Sequence, residues 1–134
     1  AILGPVDHGA CRADLRLPLD AARGQISAAL QLILLAARAA AVPVFDGVFN
    51  RPDDAQGFEA ECRGGRMLGF DGKSLIHPNQ IEACNRLFGP TDEEIDRAQK
   101  LVAAATGGAE RFENQMIERM HVEAARRVLD RARS

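Results

Sequence analysis

The stretch that decides the fold of this chain is Gly69-Phe70-Asp71-Gly72-Lys73-Ser74-Leu75-Ile76-His77-Pro78-Asn79-Gln80-Ile81. Its two glycines predict a tight turn, residues 74–77 predict a short buried strand, and Pro78 predicts the first turn of a helix. Lys73 precedes the strand and His77 ends it. Parallel α/β barrels present ligand-binding side chains in this way, at the carboxyl ends of their strands. The stretch therefore predicts one strand–helix unit of a catalytic α/β fold.

Two more buried strands are predicted before this stretch, and each of them ends in an aspartate. Ala1–Val6 leads into the loop Asp7-His8-Gly9, and Val42–Phe45 leads into Asp46-Gly47. Residues 12–20 are predicted to be irregular. A helix is predicted over residues 21–40, because its apolar residues recur on one face at Ile26, Ala29, Leu30, Ile33, Leu34 and Ala37. Further helices are predicted from Asp53 or Asp54 to about Gly64, where Gly64-Gly65 is a stop signal, and from Pro78 to Gly89-Pro90.

The last third of the sequence predicts helices only. Thr91 and Glu94 form a capping box that opens a helix reaching about Thr106, where Gly107-Gly108 ends it. A final amphipathic helix is predicted over Gln115–Ala132, because its apolar residues recur at helical spacing.

Short strands that alternate with helices predict an α/β fold with a parallel sheet whose faces are both covered. Three strands cannot close a barrel, which needs about eight. Two architectures stay open: a small open α/β domain, or the last part of a barrel over residues 1–89 followed by a helical C-terminal extension over residues 90–134. The chain begins inside the first predicted strand, so we expect it to be part of a longer protein.

The composition of the chain argues against several classes of function. The 134 residues form one domain at most, 46% of them are hydrophobic, and the formal net charge is -2. No basic surface is therefore expected for nucleic acid or for an anionic membrane. The longest apolar run, Ala28–Ala41, is interrupted by Gln31 and Arg38 and is too short to span a bilayer, and no signal peptide is predicted. An odd number of widely spaced cysteines, Cys11, Cys62 and Cys84, argues against a disulfide framework or a zinc knuckle and predicts small buried or half-buried residues in a reducing cytoplasm.

Residues 69–81 resemble the signature of the citrate lyase β-subunit-like branch of the HpcH/HpaI aldolase superfamily. Three neighbouring segments resemble the same family: Val42-Pro-Val-Phe-Asp46-Gly-Val48, Gly89-Pro-Thr91 with the helix that follows, and Met116-Ile117-Glu118. The resemblance extends from about residue 1 to residue 130. The family includes malyl-CoA, methylmalyl-CoA and citramalyl-CoA lyases.

The resemblance implies a TIM-type (β/α)8 barrel, bound Mg²⁺, a CoA-thioester substrate, and assembly into a homo-oligomer, a trimer or a hexamer. This chain would supply about three parallel strands, the last of the eight, and the helical C-terminal extension. In the family, a metal-binding glutamate and a substrate-binding arginine lie on earlier strands, which have no counterpart in this sequence.

Two carboxylates are candidates for chemistry through the resemblance. Asp7 resembles the strand-end aspartate that binds Mg²⁺, and a hard cation of this kind often takes only one or two protein carboxylates. The alternative for Asp7 is a solvated loop residue or a helix cap; the local pattern departs from the family where His8 follows it. Glu118 resembles the acid/base residue of the C-terminal extension, which is usually an aspartate. The alternative for Glu118 is a charged residue on the solvent-exposed face of a helix. A metal shared by Glu118 and His121 is disfavoured, because no third ligand is evident.

Three further residues are candidates for binding the CoA-thioester substrate. Asp46 would face the CoA arm or orient the site, and the alternative is a turn residue beside Gly47. Lys73 and His77 would meet CoA phosphates, helped by the helix N-terminus at Pro78. The alternatives are a solvated lysine and a histidine packed against the following helix.

The expected function is that of a Mg²⁺-dependent carbon–carbon lyase, or aldolase, which cleaves a 3-hydroxyacyl-CoA thioester of the malyl-CoA, citramalyl-CoA or citryl type by retro-Claisen chemistry. Two alternatives stay open. One is a thioesterase on the same scaffold, and the other is a catalytically incomplete fragment or assembly module, whose open sheet edge would need a cover.

Overall fold

The computed structural model describes residues 5–18, 20 and 22–133, which divide into two compact units, one ending at Phe88 and one beginning at Gly89. The first unit contains α1 (His8–Asp14), a first 3₁₀ turn (Arg23–Ile26), α2 (Ser27–Ala39), β1 (Phe45–Asp46), α3 (Ala55–Leu68), β2 (Gly72–Lys73), a second 3₁₀ turn (Pro78–Gln80) and α4 (Ile81–Phe88). The predicted alternation of strands and helices is present, although the strands are short.

The strands of the first unit form a small parallel sheet. β1 and β2 run in the same direction, with Phe45 opposite Gly72 and Asp46 opposite Lys73. On the other edge of β1, the Val6 N–H donates to the Phe45 carbonyl at 3.0 Å. Successive carbonyls point to opposite sides of a strand, so the segment at Val6 lies beside β1 on the side away from β2. The described part of the predicted first strand thus takes a strand-like position, whereas residues 1–4 lie outside the described residues.

The third strand lies two residues earlier than predicted. Residues 72 and 73 pair with β1, the Ser74 N–H donates to the Asp46 carbonyl at 3.0 Å, and Ile76 is half exposed. Asp71 fixes this register, because its side chain accepts the Val44 N–H at 2.9 Å and pairs with Arg38 at 2.7 Å. The prediction followed the apolar pair Leu75-Ile76, but the hydrogen bonds to Asp71 set the pairing.

α3 begins as predicted and ends later. Asp54 caps it by accepting the Gly57 N–H at 2.9 Å. The predicted stop at Gly64-Gly65 is wrong, because the helix continues to Leu68 and ends at Gly69, whose φ of 108° suits glycine. Gly65 is buried inside the helix, and its lack of a side chain serves packing rather than termination.

The segment after the first strand is also more regular than predicted. His8–Asp14 is helical, although residues 7–9 were expected to be a loop and residues 12–20 to be irregular. The Asp7 carboxylate accepts the Ala10 N–H at 3.0 Å and so caps this helix.

The core of the first unit lies between the helices and the short sheet. It contains the apolar face predicted for α2 together with side chains from α3, α4 and the strands: Val6, Ile26, Leu30, Leu34, Ala37, Val44, Phe49, Phe58, Cys62, Phe70, Cys84 and Phe88. Among the described residues, no helix is long and apolar enough to cross a membrane.

The second unit contains α5 (Asp92–Thr106), β3 (Arg111–Phe112), β4 (Gln115–Met116) and α6 (Arg119–Ala132). The capping box of Thr91 and Glu94 is confirmed. The final helix begins at residue 119 rather than 115, because β3 and β4 form a hairpin that sequence analysis missed. Its turn residues Glu113 and Asn114 both have positive φ, 48° and 63°, as a two-residue hairpin turn requires.

Candidate functional site

A cleft of about 770 Å³ opens at the carboxyl end of β1 in the first unit. Its walls come from the start of α1, the first 3₁₀ turn, the loop after β1 and one side chain of α3. The lining residues are Pro5, Val6, Asp7, His8, Gly9, Arg12, Asp20, Ala22, Arg23, Gly47, Val48, Phe49, Asn50, Arg51 and Glu61. Seven of the fifteen lining residues are titratable, so the cleft suits a polar, charged ligand better than an apolar one.

Asp46 lies beneath this cleft and is fully buried. One carboxylate oxygen, Oδ1, is 2.8 Å from His8 Nε2 and 2.8 Å from an Arg23 guanidinium nitrogen, and it also accepts the Gly47 N–H at 3.0 Å. The other oxygen, Oδ2, is 3.2 Å from Lys73 Nζ. A single buried carboxylate therefore ties together four segments of the first unit.

The charge of Asp46 is stabilised by these neighbours. Burial alone would raise the pKa of the carboxyl, but the close contact with His8 and the charges of Lys73 and Arg23 outweigh it and leave the pKa lowered. Asp46 is therefore an ionised group at neutral pH. A buried charge of this kind is tolerated only when its partners stay in place.

Lys73 is buried, and its ammonium group contacts three oxygen atoms of the protein. Its side chain has no exposed area, and its ammonium contacts Asp46, the Gly47 carbonyl at 2.6 Å and the Glu61 carboxylate at 2.5 Å. These contacts use the three N–H donors that an ammonium has. The alternative of a solvated lysine is therefore wrong, and the residue lies within β2 rather than before the strand.

Asp7 lies at the rim of the cleft with an exposed side chain. Its Oδ1 accepts the Ala10 N–H, so the residue is a helix cap as well as a cleft residue. Among the described residues, no group of three or more His, Cys, Asp or Glu side chains is placed to hold a metal ion. Asp7 and Asp20 are two carboxylates that line the same cleft, and Mg²⁺ commonly keeps several waters and binds through one or two carboxylates.

The other two predicted residues lie elsewhere. His77 is exposed and caps the second 3₁₀ turn, where its Nδ1 accepts the Asn79 N–H at 3.3 Å, and it is not among the cleft-lining residues. Glu118 belongs to the second unit, where it is the exposed N-cap residue of α6 and its backbone N–H donates to His121 Nδ1 at 3.2 Å. The structure thus brings Asp46 and Lys73 together beneath the cleft that Asp7 lines.

Sequence analysis missed three members of this site: His8, Arg23 and Glu61. Arg23 donates to the Glu61 carbonyl at 3.2 Å, while its guanidinium lies 5.8 Å from the centre of the Phe70 ring. No local motif marks these residues, because each meets Asp46 or Lys73 across a long stretch of chain. The one available signal was His8, which departs from the family pattern directly after Asp7.

The cysteines are buried or half-buried, as predicted. Cys62 and Cys84 are buried and share a hydrogen bond between α3 and α4. The hydrogen bond and burial raise the pKa of the Cys62 thiol, whereas the same hydrogen bond lowers the pKa of Cys84 to about 7 against the effect of burial. Neither thiol lines the cleft.

Comparison with known proteins places the chain in a family. The model of the C-C bond lyases, a family with the TIM-barrel fold, matches residues 26–134. The chain belongs to the C-C bond lyase family. This confirms the predicted relationship to carbon–carbon lyases of the citrate lyase β-subunit type, whereas the partial barrel stays a prediction for this chain.

Curated relatives of this chain carry two kinds of name. The (3S)-malyl-CoA thioesterase of Cereibacter sphaeroides is 41% identical over 113 residues, which are 80% of this chain and 40% of that protein. The citrate lyase subunit beta of Leuconostoc mesenteroides subsp. cremoris is 43% identical over 107 residues, which are 75% of this chain and 35% of that protein. The chain therefore spans less than half the length of these relatives.

Among solved structures, the C-C bond lyase chain is similar to the protein CitE of Mycobacterium tuberculosis, whose crystal structure is a complex with magnesium, acetoacetate and coenzyme A. The TM-score is 0.75 at 28% sequence identity, and the similarity covers 92% of this chain and 49% of that one. The similarity thus extends over most of this chain and about half of the solved structure.

Proposed function

We propose that this chain is the C-terminal part of a Mg²⁺-dependent carbon–carbon lyase that acts on a 3-hydroxyacyl-CoA thioester. The observation that carries the proposal is the charged cleft at the carboxyl end of β1, in a chain whose family cleaves carbon–carbon bonds. Barrel enzymes place their active sites at this end of the strands. The CitE complex with magnesium and coenzyme A supports the same choice of metal and substrate class.

The proposed place of the chain in the barrel is that of its last three strands. The segment at Val6, β1 and β2 lie side by side, and β1 and β2 are parallel, as neighbouring barrel strands are. The helices α2 and α3 connect these strands in sequence. Residues from Gly89 onward would be the C-terminal extension, and the assembly would be a trimer or hexamer. A mass of 14.5 kDa at all concentrations in sedimentation would contradict self-assembly of this chain.

The proposed roles divide between the rim and the floor of the cleft. Asp7 would hold Mg²⁺, which when bound supplies positive charge next to the keto-acid oxygens. Asp46 would keep the floor in shape through its contacts to His8 and Arg23. For Lys73 we propose charge balance for Asp46, because its donors are already used inside the protein.

The proton transfers are assigned to Glu118, and contact with the CoA phosphates is assigned to His77. A base removes the proton of the 3-hydroxyl group, the carbon–carbon bond breaks to give a keto acid and a thioester enolate, and an acid returns a proton to the enolate carbon. A carboxylate performs such steps well when partial desolvation raises its pKa. Since Glu118 is exposed in its own unit, we expect this desolvation to require the assembled enzyme.

A thioesterase is the second candidate, favoured by the relatives of that name at 41% identity. The test is a product assay with malyl-CoA and Mg²⁺, followed by mass spectrometry. Glyoxylate and acetyl-CoA that disappear with EDTA would support the lyase, whereas malate and free CoA would support the thioesterase. Asp7→Asn and Glu118→Gln should each reduce the lyase products, while Arg86→Gln, outside the cleft, should not. If neither product pair forms, both activities are contradicted for this chain by itself, and an incomplete assembly module is favoured.

A further inference from the structure

Asp7 is held by its neighbours in sequence as well as by its own side chain, whose Oδ1 accepts the Ala10 N–H at 3.0 Å. On one side, the Val6 N–H donates to the Phe45 carbonyl at 3.0 Å and Val6 is buried. On the other side, His8 begins α1 and its imidazole turns into the protein. The exposed Asp7 carboxylate therefore lies between two anchored residues at the rim of the cleft.

The anchor at His8 is a contact with a rigid carboxylate. His8 Nε2 is 2.8 Å from Asp46 Oδ1, and the His8 side chain is only 10% exposed. Asp46 itself is held on both oxygens by Arg23 and Lys73. Because Asp46 has no room to follow a movement of α1, its contact with His8 sets where the first turn of that helix lies.

The packing around Gly47 confirms how closely this segment lies against the end of β1. A Cβ atom at Gly47 would come within 2.5 Å of the Val6 carbonyl oxygen and 3.3 Å of His8 Cδ2. The backbone of the segment and the imidazole ring thus occupy the space that a side chain would need. Residues 6–8 form one packed strip, and Asp7 is its exposed member.

We propose that His8 is a positioning residue, which holds the Asp7 carboxylate at the cleft rim in the orientation that a divalent cation requires. The inference rests on the proposed function, because it takes Asp7 as the metal-binding carboxylate. His8 does not touch the cation; it acts through the backbone that it shares with Asp7. Contacts that orient a metal ligand typically change metal affinity by about 10- to 100-fold when they are removed.

The test uses Mn²⁺ as an electron paramagnetic resonance probe in place of Mg²⁺, so that binding is measured without turnover. We expect His8→Leu to weaken Mn²⁺ binding by about 10- to 100-fold. His8→Gln places an amide N–H near the position of Nε2 and should recover most of the lost affinity. Arg86→Gln, which breaks an exposed ion pair with Glu59 outside the cleft, is the matched control and should bind like the original protein.

A second variant reaches the same strip without changing His8 or Asp46. Gly47→Ala places its methyl group against the Val6 carbonyl and should weaken Mn²⁺ binding as well. Far-UV circular dichroism of each variant shows whether the fold is kept.

The outcomes separate the two levels of the proposal. If the original protein binds Mn²⁺ through Asp7 but His8→Leu binds it equally well, the positioning role is refuted and the metal role of Asp7 survives. If His8→Gln binds as weakly as His8→Leu, the contact with Asp46 is not the cause, which also refutes the inference. If Asp7→Asn leaves Mn²⁺ binding unchanged, the metal role itself is refuted, and the positioning role is refuted with it.

Discussion

Two adjacent glycines of α3, Gly64 and Gly65, should respond in opposite ways to the same substitution. An added Cβ at Gly64 has no heavy atom within 4 Å. Gly64→Ala should therefore gain only the better helix propensity of alanine, which is worth up to about 1 kcal/mol.

The same methyl group at Gly65 would collide with the charged floor of the cleft. Its Cβ would lie 2.7 Å from Asp46 Oδ2 and 3.1 Å from Phe88 Cζ. A flexible carboxylate would turn away at little cost, but Asp46 is held on both oxygens by buried or half-buried partners. Overpacking of this kind costs about 1–3 kcal/mol, which offsets or exceeds the gain in propensity. We expect Gly65→Ala to be less stable than Gly64→Ala by about 1–3 kcal/mol.

The assay is urea unfolding at 25 °C, followed by circular dichroism at 222 nm for both variants and the original protein. A double-mutant cycle identifies the cause, because part of the cost of Gly65→Ala should disappear when Asp46 is already alanine. Equal stability of the two alanine variants would refute the packing argument. A full cost that persists in the Asp46→Ala background would show that Phe88, and not the carboxylate, is the obstacle.

Further predictions concern the charges and the caps. Asp46→Asn should destabilise the protein most above about pH 4, because the folded-state pKa of Asp46 lies below its ordinary value of 3.8. The stability that the ionised carboxylate contributes is lost only as pH falls through that lowered pKa. Urea unfolding across pH 2–7 would contradict this if the difference in unfolding free energy between the two proteins became larger in acid. Lys73→Met should cost about 3–5 kcal/mol, since it leaves a buried carboxylate without its ammonium partner; a midpoint unchanged in urea would exclude the buried ion pair. Thr91→Ala should cost about 1 kcal/mol through loss of the N-cap of α5, and Thr91→Ser should cost less, as thermal unfolding would measure.

Much of the fold is encoded in short patterns and is therefore visible in the sequence. Thr91 and Glu94 mark the start of α5, and Asp54 marks the start of α3, because a cap involves residues only three positions apart. Pro78 marks the turn that leads into α4. The periodic apolar face of α2 likewise predicts its burial. The starts of α3 and α5 are where they were expected, whereas the predicted helix over residues 21–40 consists of a 3₁₀ turn at Arg23–Ile26 and an α-helix that begins only at Ser27.

The structure differs from the sequence-based prediction where contacts between residues far apart in the chain determine the local structure. The register of β2 depends on Asp71 reaching the backbone of Val44, and the continuation of α3 through Gly65 depends on the space beside Asp46. Neither effect leaves a local trace in the sequence. The hairpin of β3 and β4 was missed for another reason: its turn residues, Glu113 and Asn114, lack the glycine that usually marks a two-residue turn.

The candidate site shows the same division. The position of Asp46 at a strand end followed from the pattern of a buried run that stops at an aspartate. Its partners His8, Arg23 and Glu61 could not be predicted, because they come from three other segments and meet only in the folded chain. The roles of Asp7, His77 and Glu118 stay predictions that the experiments above address.

The assembly of charges around Asp46 also has a kinetic meaning. His8, Arg23, Lys73 and Glu61 come from separate parts of the chain, so their contacts can form only after those parts have come together. Contacts that form after the rate-limiting step of folding affect mainly the rate of unfolding. We therefore expect this cluster to slow the unfolding of the first unit rather than to speed its folding. The charged cleft floor would then set the lifetime of the native state.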